Sequence, residues 1–185
     1  EKLAKQVSII REEKGRELGL VYGRATILNS EGGENTLLAS AYQKNNPSEP
    51  EIFAGYAGKL LPEGNIFDEL LMYNFIPLVA SVVRKDLYWD LGGIPSHYQQ
   101  AEDTYLFLNI ANKYKVRAVQ EVCCRYRIHG NNNTHVMYET SFLECIEIVK
   151  EFSDHHLAGK RLKELYTSHA IFNLRKGEIR KCLTI

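Results

Sequence analysis

Apolar residues in this chain fall into short blocks, some at helical spacing and some at extended spacing. The opening EKLAKQVSIIREEKG places Leu3, Val7 and Ile10 on one helical face, and Lys14 with Gly15 predicts the stop. LGLVYGRATIL (18–28) is rich in β-branched and apolar residues and predicts a strand. NSEGGEN (29–35) predicts a turn, TLLASAY (36–42) a second strand, and QKNNPSEPE (43–51) a polar loop. A short helix is expected over 66–73, after the Pro62-Glu63-Gly64 turn. The run 77–83 is continuously apolar and predicts a buried central strand. A short helix over 84–91 should close at Gly92-Gly93, and 95–100 forms a loop. AEDTYLFLNIAN (101–112) reads as a helix apolar on nearly all sides, hence buried. Residues 116–127 alternate as a strand, and HGNNNTH (129–135) is a loop. Two amphipathic helices close the chain. One covers 138–152, with Phe142, Ile146, Val149 and Phe152 on one face; the other covers 160–174, with Leu162, Leu165, Tyr166 and Ala170 inward. The composite is α/β with a helical tail.

The 185 residues suit one domain of ordinary size, which buries roughly 70% of its unfolded surface. Basic and acidic residues balance at 23 each, which argues against a nucleic-acid surface. No apolar run approaches the ~20 residues of a membrane span. Cys123, Cys124, Cys145 and Cys182 show no C-x-x-C spacing, so reduced thiols in a cytoplasmic protein are expected. Asn132-Asn133-Thr134 has the form of a glycosylation sequon, to which no role is assigned. There is no initiator Met and no capping residue before Leu3, and the chain is expected to be cut from a larger protein.

Glu102 and Asp103 open the apolar helix. Acids in a first turn complement exposed N–H groups by ~0.3–1 kcal/mol each, and that is the plain reading. The functional reading is a general base held at the end of a buried helix, a role that contributes ~10²–10⁴-fold. His129 follows a strand in a Gly- and Asn-rich loop and is either an exposed loop residue or a metal or phosphate contact. Arg125 and Arg127 either neutralise a diphosphate or sit on the solvent face of an alternating strand. His155 and His156 are expected to be surface residues, because helix neighbours do not share a face and so do not hold one ion. Trp89 and Tyr88 precede the glycine pair; core packing is the commoner fate of a lone Trp, and stacking on a sugar ring is the functional one.

Taken in order, VVRK, a short helix, LGG, a loop, AED, a buried helix, a strand and YRIHGNN resemble the inverting family 2 glycosyltransferases of the GT-A fold. In that family a segment written roughly GG-F-loop-ED-x-x-L-x-x-R supplies the base and the acceptor floor. A following Y-R-x-H-x-x-N closes the sugar-nucleotide site. EKLAKQV resembles a P-x-x-L-x-x-Q segment that follows the family's metal-binding acids. The resemblance covers most of 1–135. It implies Asp103 as general base with Glu102 supporting it, Gly92 and Gly93 shaping the sugar pocket, Trp89 and Arg127 contacting substrate, and His129 near a metal or diphosphate.

The resemblance also implies a nucleotide-sugar donor, a glycan or lipid-linked acceptor, and bound Mg²⁺ or Mn²⁺, with a role in bacterial polysaccharide or glycan synthesis. The family's Gly-rich first strand, uridine-binding acid and D-x-D motif do not occur here, nor does the basic residue late in the helix, where Asn112 and Lys113 stand nearby. The expected architecture is therefore a partial GT-A mixed sheet, with the acceptor-side half over 1–136 and a helical segment over 137–185. The piece alone is expected to be inactive and to self-associate through its uncovered apolar face. Basic residues late in the tail keep peripheral membrane association open. Two other readings remain. One is a non-catalytic carbohydrate-binding or interaction module; the other is a metal-dependent hydrolase using Asp103 and His129, for which no clustered ligand motif appears.

Overall fold

A computed structural model describes residues 1–13, 17–29, 56, 59–128 and 137–178. The chain forms a mixed α/β structure on a three-stranded sheet. In order, the elements are α1 (Lys2–Glu12), β1 (Leu18–Asn29), α2 (Phe67–Met72), β2 (Ser81–Val83), α3 (Lys85–Asp90), α4 (Glu102–Ala111), β3 (Lys115–Ile128), α5 (Tyr138–Glu151) and α6 (Ala158–Arg175). The expected strand over 36–42 and the loops over 29–35, 43–51 and 129–135 fall wholly or almost wholly outside the described residues.

β1 lies between the other two strands. It pairs antiparallel with β2 from Leu20↔Val83 to Tyr22↔Ser81, and parallel with β3 from Leu18↔Lys115 to Asn29↔Ile128. Its apolar run is covered on both faces. Leu20 and Tyr22 enter the main core with Leu70 and Leu71 of α2, Phe107 and Ile110 of α4, Ile146 and Val149 of α5 and Leu165 of α6. Leu18 and Val21 form a smaller cluster with Val119, covered by Ile9 and Ile10 of α1. The main core is continuous from the sheet into the tail helices.

Two expectations need correction. The run 77–83 is not a central strand. Pro77 leads into a single 3₁₀ turn, Leu78–Ala80, and only Ser81–Val83 pair, at the sheet edge. Leu78 and Val79 remain half exposed. A continuous apolar run does not distinguish a two-sided strand from a turn packed on one side, and β1 already fills the central place. On α1, Leu3 is 61% exposed, and the buried position is Gln6. Gln6 Nε2 donates to the Ala80 carbonyl at 2.8 Å, so α1 is rotated to tie itself to that turn. A buried amide held by a carbonyl partner stands at the centre of the contact, while Val7 and Ile10 of the predicted face are partly buried and Leu3 is not.

Candidate functional site

The acid pair opens α4 as expected, and the five buried positions Leu106, Phe107, Leu108, Ile110 and Ala111 anchor the helix behind it. The segment entering α4 is held by α5. Glu144, itself buried, receives three backbone hydrogen bonds: Gln99 N–H donates to Oε1 at 2.9 Å, and Gln100 and Ala101 N–H donate to Oε2 at 2.8 Å each. Tyr98 Oη donates to Glu151 Oε1 at 3.0 Å, and His97 Nε2 lies 3.3 Å from Glu147 Oε1. Glu144, Glu147 and Glu151 are spaced i, i+3, i+7, so one face of α5 grips residues 97–101.

Three N–H groups at the mouth of α4 are therefore satisfied from outside the helix. Asp103 satisfies one more: Thr104 N–H donates to its Oδ1 at 2.6 Å, with Thr104 Oγ1 at 3.2 Å from the same oxygen. Asn74 Nδ2 donates to Thr104 Oγ1 at 3.0 Å, and Asn74 Oδ1 accepts from Ile76 N–H at 3.1 Å. Asn74 and Thr104 thus fix the Asp103 carboxyl from below. Burial pushes the Asp103 carboxyl up from 3.8 to about 6; the adjacent Glu102 charge adds to the rise, and the Thr104 bonds oppose it. Simple compensation of the helix dipole would stabilise the ionised form and lower the value. The shift has the opposite sign, because desolvation and the neighbouring Glu102 charge outweigh it. Glu102 Oε2 is buried without a hydrogen-bond partner among the described residues.

Gly92 and Gly93 terminate α3 with φ of +81° and +75°. Gly93 N–H donates to the Tyr88 carbonyl at 2.9 Å, and a Cβ there would meet the Tyr88 hydroxyl at 3.3 Å. Trp89 is 63% exposed and sits edge-on to Tyr88, with ring centroids 5.0 Å apart. It is a surface aromatic, not a core one. Arg127 is exposed near the end of β3 and is not among the groups that shift Asp103. His129 lies outside the described residues. Cys145 stands close enough to Asp103 to feel its charge; burial, with that charge, pushes the thiol up to about 11, so it stays protonated at neutral pH.

The histidine doublet is the other correction. His155 and His156 lie in the turn between α5 and α6, not on a helix, and their rings are 4.5 Å apart. Both face Asp68 in the first turn of α2, with Nε2 atoms 3.1 Å and 3.8 Å from its two carboxylate oxygens. The rule against neighbouring helical side chains does not apply to a turn. A groove of about 430 Å³ also lies along Glu13, Leu18, Glu63, Gly64, Lys115 and Arg117. Its cations are already paired: Arg117 with Glu13 at 2.5 Å and Glu63 at 3.1 Å, and Lys115 with Glu17 at 2.6 Å. That charge balance leaves little to attract a diphosphate.

Among the described residues no helix is long and apolar enough to cross a membrane. Comparison with known proteins gives no match to a family model, a curated protein or a solved structure.

Proposed function

We propose that this chain carries the acceptor side of an inverting glycosyltransferase of the GT-A type, moving a sugar from a nucleotide-diphospho-sugar to an acceptor hydroxyl. The observation that carries the reading is Asp103: a carboxyl at the end of an anchored helix, fixed by Thr104 and Asn74, with its proton affinity raised to about 6. A base of that strength is ionised at pH 7 yet takes a proton more readily than an ordinary aspartate. Asp103 would accept the hydroxyl proton as the oxygen attacks the anomeric carbon. The bond to the diphosphate breaks on the opposite face, giving inversion. Gly92 and Gly93 would shape the floor, with Trp89 as a stacking surface for the acceptor ring.

No D-x-D sequence occurs in the chain, and no step is assigned to Mg²⁺ or Mn²⁺ on these residues. The Asp68–His155–His156 group offers two nitrogens and one carboxylate, a set that suits transition metals better than Mg²⁺. The test is consumption of UDP-, GDP- and dTDP-sugars by the full-length gene product and its Asp103→Asn variant. Turnover should fall by ~10²–10⁴-fold. A variant working at near wild-type rate would remove Asp103 from the chemistry. A non-catalytic carbohydrate-binding module is the second reading, favoured by the exposure of Trp89. Sugar binding by a wild-type protein with no turnover, lost in Trp89→Ala, would select it.

A further inference from the structure

We propose that Asp68, His155 and His156 form a binding site for a divalent transition cation of the Zn²⁺ class, which ties the first turn of α2 to the turn between α5 and α6. The site is independent of the transferase reading. Its three potential ligand atoms, one from each residue, lie within 4.8 Å of one another. Bonds of ~2.0–2.1 Å in tetrahedral geometry place ligand atoms roughly 3.3 Å apart. His155 Nε2 lies 3.1 Å from Asp68 Oδ1, which meets this, and His156 Nε2 lies 3.8 Å from the other carboxylate oxygen, Oδ2, so each ring faces its own oxygen and one of the two must be shared to close the site. Closing the remainder falls to His156, whose side chain is 70% exposed and free to turn.

His155 is the better-held ligand. Only 26% of its side chain is exposed, and its ring sits edge-on to Phe67, 5.0 Å between centroids; Phe67 in turn packs on Phe152. Leu157 N–H lies 3.3 Å from His155 Nδ1, which in the neutral ring leaves the proton on Nε2, toward Asp68. A cation at Nε2 replaces that proton, which moves to Nδ1, and the long contact from Leu157 is given up. The carboxylate contributes one negative charge and the two imidazoles none. The fourth position is open to water.

The experiment uses the full chain stripped with a chelator, titrated with Zn²⁺ by calorimetry and with Co²⁺ by its visible absorption. One ion per chain should bind, and saturating Zn²⁺ should raise the melting temperature by about 5–10 °C. Asp68→Asn and His156→Ala should each weaken Zn²⁺ binding at least tenfold and abolish the thermal shift. Both positions are at least half exposed, and circular dichroism checks that each variant is folded. Absence of stoichiometric binding to the wild type overturns the site, and so does a loss of less than tenfold in either folded variant.

Discussion

Two helices in this molecule open with the same local signal and meet different surroundings. α2 carries Asp68-Glu69 in its first turn and α4 carries Glu102-Asp103, and neither helix has a side-chain cap at its N-terminus. By first-turn chemistry the two pairs are equivalent. Yet Asp68 is half exposed and faces two imidazoles, whereas Asp103 is partly buried beside a second acid and holds its proton up to about 6. One distant stretch packs against both mouths. α5 brings Glu144 to the mouth of α4, and the turn after α5 brings His155 and His156 to the mouth of α2. An acid pair at a helix start is readable locally; its chemistry is set by what the fold places against it.

Removing Glu144 should have the largest effect. Glu144→Ala leaves the N–H groups of Gln99, Gln100 and Ala101 without their partner. An unsatisfied buried group costs ~1–3 kcal/mol; the Ala101 bond is buried and the other two are part-buried, so a total loss of about 3 kcal/mol is expected in urea unfolding. Glu144→Gln keeps an acceptor and should cost less. A loss below ~1 kcal/mol for the alanine variant would mean that α5 does not build the α4 mouth, and the contrast between the two mouths would lose its cause.

Asp103→Asn comes next, and its sign depends on pH. The folded state holds the Asp103 proton more tightly than the unfolded chain, at about 6 against 3.8. Its favourable contribution is complete below the unfolded value and is lost as pH rises through about 6. At ~1.4 kcal/mol per pH unit, the wild type should lose about 2–3 kcal/mol from this group between pH 4 and 7. The asparagine variant lacks that slope and should be the more stable protein at pH 8. Denaturant unfolding across that range is the check. A variant with the wild-type slope would show that Asp103 is an ordinary first-turn acid like its counterpart on α2. Gained stability together with lost turnover is the combination expected of a residue kept for chemistry.

Much of the framework was legible because it rests on periodicity. β1, α4, α5 and α6 follow the patterns read over 18–28, 101–112, 138–152 and 160–174 to within a residue or two. What failed was decided by partners far along the chain. The run 77–83 became an edge because β1 took the centre, and Gln6 became the buried residue of α1 because the Ala80 carbonyl lies opposite it. In the site, the sequence exposed Asp103 and the glycine pair but concealed Glu144, whose burial follows from the loop it grips. It concealed the Asp68–histidine group for a similar reason, since Asp68 lies far along the chain from the doublet and a helical-face rule was applied to residues that lie between helices.

Gly93→Ala is a smaller probe of the same approach to α4. The residue has φ of +75°, and an added Cβ would press the Tyr88 ring at 3.3–3.4 Å. Holding an alanine in the left-handed region costs ~1 kcal/mol, and the ring contact adds a little to it. Thermal unfolding should fall by about 2–5 °C. An unchanged melting temperature would show that the turn relaxes without strain and does not fix the position of Trp89.

The smallest effect should come from Asp68→Asn without metal. Asp68 is half exposed, and its imidazole neighbours carry full charge only when protonated. An exposed pair of this kind contributes ~0–1 kcal/mol. Urea unfolding of the chelator-treated variant at pH 8 should therefore overlay the wild type, while Asp103→Asn under the same conditions should not. A loss above ~1 kcal/mol would show that Asp68 already holds the fold together without an ion. The α2 mouth would then be a structural joint rather than a vacant ligand set, and the two helix starts would differ in degree of burial, not in kind.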